Sequence, residues 1–304
     1  MILRKLTIFL FLICAYTDMF SQKNNQEIEV KIENDKLVMV DKYYTSGLFL
    51  TYRKILRNNF IFKKEGNNVL QLNVALGNET YTPTNLASIN PIDFDRPYAG
   101  WFFLKTEIGK IKGANALLLA LEMGITGEES LAGKIQTKAH EIFGNDNPTW
   151  VQEIEFKFLV NLKARYIISK LISKHHALHY VLEPSLGTKD VFIENGLGYY
   201  FGKFNDLRNS SRIETIDKTL KNELFGFIYL GYKYVAHNTL IQGSLDYNDV
   251  LFTTTMSPHL FKLKIGGVLK AKRTIIKFIY NFNTKETPTS TSHSYGTLVF
   301  SRNF

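Results

Sequence analysis

Three segments of this 304-residue chain alternate between apolar and more polar side chains with a period of two. They cover residues 70–77, 153–162 and 275–282. Because successive side chains of a β-strand point to opposite faces, each segment has one apolar face and one more polar face. After the N-terminal region, no segment contains 18 consecutive apolar residues, so the sequence does not favour a helical membrane protein. The chain is therefore predicted to be all-β.

A soluble β-sandwich would produce the same alternation, and three further features favour a membrane barrel. The chain contains 16 tyrosines and 23 phenylalanines, as expected for aromatic girdles at the two membrane interfaces. The alternating segments have about the length of a tilted bilayer crossing. Short turns alternate with long polar segments, such as residues 125–150 and 203–223. Since a closed barrel pairs every backbone polar group without leaving an edge, we predict one membrane barrel.

The two ends of the sequence predict export to the bacterial outer membrane. Arg4 and Lys5 precede the apolar stretch 6–15, so residues 1–21 are predicted to be a secretory signal peptide cleaved near Ser21. Residues 22–304 then form the barrel domain. Phe304 follows an alternating strand over residues 296–302, which is typical of the last strand of an outer-membrane barrel. A multi-pass outer-membrane protein is expected.

Charge and cysteine content limit the classes of partner and chemistry. The formal net charge is +9, which suits an anionic partner such as a phosphate-bearing lipid, whereas export argues against nucleic acid. The one cysteine, Cys14, lies within the predicted signal peptide, where lipoprotein attachment is the competing interpretation. The mature chain therefore has neither disulfides nor thiolate chemistry.

The polar stretch 136–150 contains the strongest candidate for catalysis. His140 follows Gln136 by four residues and precedes Asp146 by six, and a His beside a carboxylate can take a proton from water near neutral pH. Residues 130–144 have helix-compatible spacing, with Gly144 as the stop, so Gln136 and His140 share one helical face. A solvated surface histidine is the alternative interpretation.

Hard oxygen donors cluster in a second place, near the mature N-terminus. Asp35 supplies a carboxylate, while Asn34 and Thr45 offer amide, carbonyl or hydroxyl oxygens. This mixture suits Ca²⁺, which accepts flexible oxygen coordination. The alternative is a polar barrel rim with a solvated Asp35.

Other polar residues have less specific interpretations. Arg96 is expected either to form an ion pair with Asp95 or to contact a substrate phosphate, whose oxygens match its planar fork. Glu153 and Glu155 are expected to face the barrel interior. The sequence has no G-x-S-x-G elbow, and Ser46 and Ser244, the nearest candidate nucleophiles, have no recognisable triad. A His-activated water is therefore preferred to an acyl-enzyme.

Several short motifs, taken in order, resemble the lipid A 3′-O-deacylase family. They are 33-END-35, 43-YYTSG-47, 81-YTP-83, 95-DRPYAGW-101, 124-GITG-127, Gln136-x-x-x-His140 and Trp150. The resemblance spans nearly the whole mature chain and continues through 183-EPSLGT-188 and 194-ENGLGYYFG-202. It implies a transmembrane antiparallel β-barrel of about twelve strands, with a short extracellular helix that carries the catalytic histidine beside the barrel wall.

The resemblance also implies an activity: calcium-dependent hydrolysis of the 3′-linked acyloxyacyl chain of lipid A. Bound Ca²⁺ would be held by Asp35, Asn34 and Thr45 and would stabilise the oxyanion. His140 would deprotonate the attacking water, supported by Asp146.

Gln136 would orient the substrate or the helix, and Arg96 is the predicted substrate contact. The chain departs from the family pattern in two places: Asp146 stands where a glutamate is usual, and residues 84–90 lack a basic pair that some members carry. The expected partners are lipopolysaccharide and the outer-membrane bilayer, and the expected oligomeric state is a monomer. Two alternatives remain, namely a passive barrel acting as a pore or adhesion scaffold, and a serine-type outer-membrane phospholipase.

Overall fold

The computed structural model describes residues 25–38, 42–144, 146–244 and 252–304, and the predicted signal peptide lies outside these ranges. Most of the described chain is β-strand. The strands are β1 (Gln26–Asn34), β2 (Tyr43–Leu56), β3 (Val69–Thr82), β4 (Ala99–Lys112), β5 (Asn115–Ile125), β6 (Phe158–Ser173), β7 (His176–Gly187), β8 (Asp190–Lys203), β9 (Glu223–Asn238), β10 (His259–Ala271), β11 (Thr274–Asn283) and β12 (His293–Asn303). The α-helices are α1 (Ala132–Phe143) and α2 (Thr239–Gln242), and single 3₁₀ turns cover Asp35–Val38, Pro91–Asp93, Glu128–Ser130, Leu207–Asn209 and Ser211–Ile213.

The described strands form one closed antiparallel barrel in which each strand pairs with its neighbours in sequence. The barrel closes where β1 pairs with β12, from Glu27 opposite Asn303 to Asn34 opposite Gly296. Beyond these pairs, the backbone N–H of Phe304 donates to the carbonyl of Gln26 over 2.9 Å. The predicted twelve-stranded barrel is confirmed.

The alternation of side chains divides the barrel into a polar lumen and an apolar outer surface. Along β3, Gln71 and Asn73 face the lumen and are buried, whereas Leu76 faces outward and is exposed. Exposed apolar side chains that face outward recur around the barrel: Leu48, Leu50, Leu76, Leu104, Leu121, Leu162, Leu197, Leu230, Ile265, Phe278 and Leu298. Such a belt is the surface that a transmembrane barrel presents to lipid. Among the described residues, no helix has the length and hydropathy needed to cross a membrane.

Part of the lumen is filled from the end of the barrel where β1 begins and β12 ends. The connection 204–222, predicted as a long polar segment, folds inward instead of extending into solvent. Its Asp217 forms an ion pair with Lys270 over 2.6 Å, and both side chains are fully buried. Its Glu214 pairs with Arg53 over 3.1 Å, and its Ile213 packs among lumen-facing apolar side chains. This segment therefore acts as a plug.

The opposite end carries most of the long connections, whose described parts are residues 83–98, 126–144, 146–157, 239–244, 252–258 and 284–292. Since outer-membrane barrels place their longer loops outside the cell, we assign this end as extracellular. Here Leu240 of α2 packs against Phe49, Trp101 and Phe103, which face the lumen. The lumen is thus occupied near both ends.

Candidate active site

Helix α1 lies on the outer surface of the barrel, against β3 and β4. Asn78 of β3 donates from Nδ2 to the carbonyl of Ser130 over 2.7 Å, immediately before the helix. Gly100 of β4 lies so close that a Cβ there would overlap Ser130 Oγ and Ala132 Cβ. Asn78 and Gly100 alternate with residues that face the lumen, so the helix packs on the outside. The extracellular helix predicted beside the barrel wall is present.

The sequence explains both the end of helix α1 and the face that it buries. Gly144 adopts a left-handed conformation, with φ of 72°, and its N–H donates to the carbonyl of His140, which stops the helix where predicted. Ala132, Gln136 and His140, spaced by four residues, are buried. Because residues four apart share one helical face, this face packs towards the wall.

His140 is held by the main chain of the residue predicted to support it. The Nδ1 atom lies 2.5 Å from the carbonyl oxygen of Asp146, while the Asp146 side chain is exposed. A carbonyl only accepts, so Nδ1 carries a proton, and in the neutral ring Nε2 keeps its lone pair. The Asp146 carboxylate was expected to orient the imidazole. The backbone carbonyl of Asp146 does so instead. The main chain of Asp146, and not its side chain, is therefore the group that faces the ring.

Gln136 is paired with Trp150, a residue to which the sequence had assigned no role. The indole Nε1 donates to Gln136 Oε1 over 2.9 Å. The amide Nε2 is buried and has no hydrogen-bond partner among the described residues. A buried donor without a partner is rare in folded proteins, and it marks a position where a ligand or a water can bind.

A row of register partners runs across the outer wall towards the helix. Asn34 of β1 pairs with Ser46 of β2, Ser46 with Thr80 of β3, and Thr80 with Gly100 of β4, beneath the start of helix α1. Adjacent strands are about 4.8 Å apart, so the whole row spans about 14 Å. Thr80 Oγ1 is buried without a partner among the described residues. The outward-facing side chains of Asn34, Ser46 and Thr80 make the outer surface polar here.

Thr45 joins this row through an irregularity in the β2–β3 pairing. The register shifts between Tyr44 and Ser46, so Thr45 is the extra residue of a β-bulge. Its Oγ1 lies 3.3 Å from Thr82 Oγ1 and 3.4 Å from the carbonyl of Thr80. A bulge re-aims a side chain, and here it turns the Thr45 hydroxyl towards the outward-facing threonines.

The three predicted calcium ligands lie at the same end of β1 and β2, since Asn34 pairs with Ser46, the neighbour of Thr45. Asp35 is fully buried and accepts from the backbone N–H of Lys42 over 2.7 Å. Asn34 Oδ1 accepts from the N–H of Lys36 over 2.8 Å. Asn34, Asp35 and Thr45 offer only oxygen donors, and Thr80 adds another hydroxyl, so the donor set fits a hard cation such as Ca²⁺. Among the described residues, no three His, Cys, Asp or Glu side chains form a metal-binding group.

Arg96 lies over the lumen, away from this row. Its Nη1 pairs with Glu286 over 2.9 Å, and its guanidinium stacks on the lumen-facing Tyr81 at 4.5 Å. Asp95 instead accepts from the hydroxyls of Tyr43 and Thr84, each over 2.7 Å, so the ion-pair partner expected for Arg96 was wrong. The predicted phosphate contact of Arg96 remains a prediction, and Arg96 is not part of the outer-wall site.

Glu153 and Glu155 also lie elsewhere than expected. Strand β6 begins at Phe158, so both glutamates precede it and do not face the barrel interior. Glu153 instead lines a groove of about 490 Å³ between helix α1 and residues 148–153. Burial, with the nearby charges of Glu128 and Glu129, raises its pKa to about 7. The alternation over 153–162 thus belongs only in part to a strand.

Comparison with known structures shows where this architecture recurs. LpxR from Salmonella typhimurium superposes with a TM-score of 0.75 at 17% identity, covering 91% of this chain and 100% of that chain. The β domain of the Bordetella autotransporter BrkA gives a TM-score of 0.51 at 9% identity, covering 92% of this chain and 99% of that chain. These low identities show the fold alone. No curated protein matched the sequence.

A family model described as outer membrane protein LpxR matches residues 6–304, nearly the whole chain. This match agrees with the closed barrel, with the helix on its outer wall and with the motifs that run through the sequence. It also confirms the predicted family and the predicted location in the outer membrane. The chain belongs to the LpxR family of outer membrane proteins.

Proposed function

We propose that this protein is an esterase of the outer membrane that hydrolyses the 3′-linked acyloxyacyl chain of lipid A. The observation that carries the proposal is the placement of His140, on a helix packed against the outer wall of the barrel beside a polar row. Lipid A occupies the outer leaflet, so its ester can reach a site on the outer flank. A site inside the plugged lumen would be closed to it.

His140 is the base in this reaction. With Nδ1–H donated to the Asp146 carbonyl, Nε2 accepts a proton from water as the water oxygen attacks the ester carbonyl carbon. When the tetrahedral intermediate collapses, the C–O bond to the sugar breaks, and His140 returns the proton to the departing alkoxide. The products are a free fatty acid and a sugar hydroxyl. The same carbonyl stabilises the transient imidazolium.

Asp35, Asn34 and Thr45 would hold calcium at the rim of β1 and β2. When bound there, Ca²⁺ supplies positive charge that stabilises a developing oxyanion. The buried position of Asp35 supports this assignment, since a buried carboxylate is stabilised by a nearby cation.

The two alternatives have less support. A passive pore needs an open lumen, whereas residues 204–222 enter it and are tied there by the Asp217–Lys270 ion pair. A serine phospholipase needs a nucleophile activated by a base. Ser46 lies on the outer row, but none of its described contacts is with a histidine.

The test is mass spectrometry of lipid A from cells that express the protein, the His140→Ala variant or neither. We expect a mass loss equal to one acyloxyacyl group with the unaltered protein only, and suppression of that loss by a chelator in isolated membranes. An unchanged spectrum from cells with folded protein in the outer membrane would overturn the proposal.

A further inference from the structure

Trp150 determines which end of the Gln136 amide faces away from it. An indole N–H can only donate, and it points at Gln136 Oε1 over 2.9 Å. Turning the amide over would place two donors against each other, so the hydrogen bond selects one of the two amide orientations. The Nε2 group must therefore point away from the indole.

That outward-pointing N–H₂ group is buried but unused. Gln136 is 4% exposed, and its Nε2 has no hydrogen-bond partner among the described residues. It belongs to the helical face that also carries His140. The hydroxyl of Thr80, on the wall that this helix covers, is likewise unpartnered within the described chain. Between helix and wall there is thus a fixed N–H donor that has no acceptor among the described residues.

The surroundings of Trp150 restrain its ring. Gly133 lets the indole lie against helix α1, since a Cβ at that position would come within 2.9 Å of Trp150 Cδ2. On another side, the ring packs against Tyr98 with centroids 5.1 Å apart, and Tyr98 is fully buried. Trp150 itself adopts φ of 49°, a left-handed conformation that is costly for a bulky residue. Such strain persists where the surrounding structure holds it, often at functional sites.

We propose that Trp150 is a positioning residue: it holds the amide of Gln136 so that Nε2 donates a hydrogen bond to the ester carbonyl oxygen as that oxygen gains negative charge. The inference rests on the proposed deacylase function and deepens it. Trp150 touches no reacting atom and acts only through Gln136. A donor whose direction is set before reaction stabilises the transition state without reorganisation.

The kinetic test is a double-mutant cycle on lipid A that carries a 3′-linked acyloxyacyl chain. Trp150→Phe removes the donor that selects the amide orientation, and we expect kcat to fall about tenfold with little change in KM. Gln136→Ala should lower kcat by about 100-fold. Adding Trp150→Phe to Gln136→Ala should then cost less than about twofold, because the group that Trp150 positions is gone. Equal losses in both backgrounds would overturn the proposal.

Two further variants separate positioning from packing. Gln136→Glu keeps one oxygen that accepts from the indole, but its other oxygen cannot donate to the substrate carbonyl. Its kcat should therefore be as low as that of Gln136→Ala. Trp101→Phe is the matched control, because Trp101 is the other tryptophan of the chain and its Nε1 has no partner among the described residues. It should leave kcat within about twofold of the unaltered enzyme. A Gln136→Glu variant with normal kcat would contradict the donor role.

A measurement without substrate distinguishes failure of this inference from failure of the proposed function. In the ¹⁵N-tryptophan-labelled protein in detergent, Trp101 and Trp150 each supply one indole N–H signal. Trp150→Phe identifies its own signal by removing it, and Gln136→Ala should shift that signal upfield as the hydrogen bond is lost. A signal that does not move would overturn the Trp150–Gln136 relationship. If the signal moves but the unaltered protein has no deacylase activity, the Trp150–Gln136 hydrogen bond is real and the proposed function is rejected. The catalytic part of the inference is then rejected with it.

Discussion

The imidazole of His140 is oriented by the backbone carbonyl of Asp146, which lies 2.5 Å from Nδ1, and not by the Asp146 carboxylate. The carboxylate points to solvent. A main-chain acceptor fixes the ring tautomer as a carboxylate would, but it carries no full charge. The relationship depends on the position of the Asp146 main chain, and side-chain identity at 146 matters less.

His140→Gln is therefore expected to abolish deacylation, because glutamine has no basic nitrogen to take a proton from water. Asp146→Asn should retain activity within about threefold, since the carbonyl remains in place. Lipid A mass spectrometry on cells with matched expression measures both. An Asp146→Asn variant as inactive as His140→Gln would show that the carboxylate is needed.

Gly100→Val should displace helix α1 from the wall while leaving the barrel folded. Any side chain at Gly100 overlaps Ser130 and Ala132, so the helix has to move away from β4. We expect activity to fall by at least about 100-fold, because displacement by one ångström at a catalytic site is already costly. Gly267→Val is the matched control, since no atom lies within 4 Å of the added Cβ. Loss of activity in both variants would argue against a role for helix docking.

Asp217→Asn should destabilise the barrel by about 3–5 kcal/mol, because it leaves the buried Lys270 ammonium without its counter-charge. The measurement is the urea midpoint of unfolding in detergent, followed by the heat-modifiable mobility of the folded barrel. Replacing both partners, as Asp217→Leu with Lys270→Met, should recover part of the loss.

The exposed Lys138–Glu141 pair supplies the control for this measurement. Glu141→Gln should leave the midpoint unchanged, because solvent already screens the pair. If Asp217→Asn also left the midpoint unchanged, the plug would not contribute to the stability of the barrel.

The loop beside helix α1 should loosen as the pH rises. Burial and the charges of Glu128 and Glu129 raise the pKa of Glu153 to about 7, so the folded loop binds a proton that the unfolded loop releases nearer pH 4.5. Between these values the unfolded state binds fewer protons, and stability therefore falls as pH rises. Limited proteolysis of residues 126–157 should be slower at pH 5 than at pH 8. Glu153→Gln should remove most of this difference, and a variant that keeps all of it would refute the assignment.

The activity should depend on Ca²⁺ through the Asp35 carboxylate. Asp35 is the one charged ligand among the three predicted. Asp35→Ala should therefore raise the Ca²⁺ concentration needed for half-maximal activity by at least about tenfold. Thr45→Val should have a smaller effect of the same sign, because it removes one neutral donor. Activity that is unaffected by chelators in the unaltered protein would exclude a calcium role.

Much of the architecture could be predicted because strand periodicity is a local property. The alternation over 70–77 and 275–282 lies on β3 and β11, and Gly144 ends the helix where a left-handed glycine was expected. The alternation over 153–162 gave a wrong prediction for residues 153–157, because a local alternation also occurs in irregular segments. Only pairing with β5 and β7 shows that β6 begins at Phe158.

The sequence by itself determined the fold class, the end of helix α1 and the residue types available for chemistry, since each follows from local pattern or composition. Only the tertiary structure decided which partners those residues meet. It paired His140 with a carbonyl, Gln136 with Trp150 and Arg96 with Glu286, and it placed residues 204–222 inside the lumen. These contacts join residues through bends, strand register and loop packing. Such relationships depend on how irregular and distant segments fold against one another, which no short alternating pattern encodes.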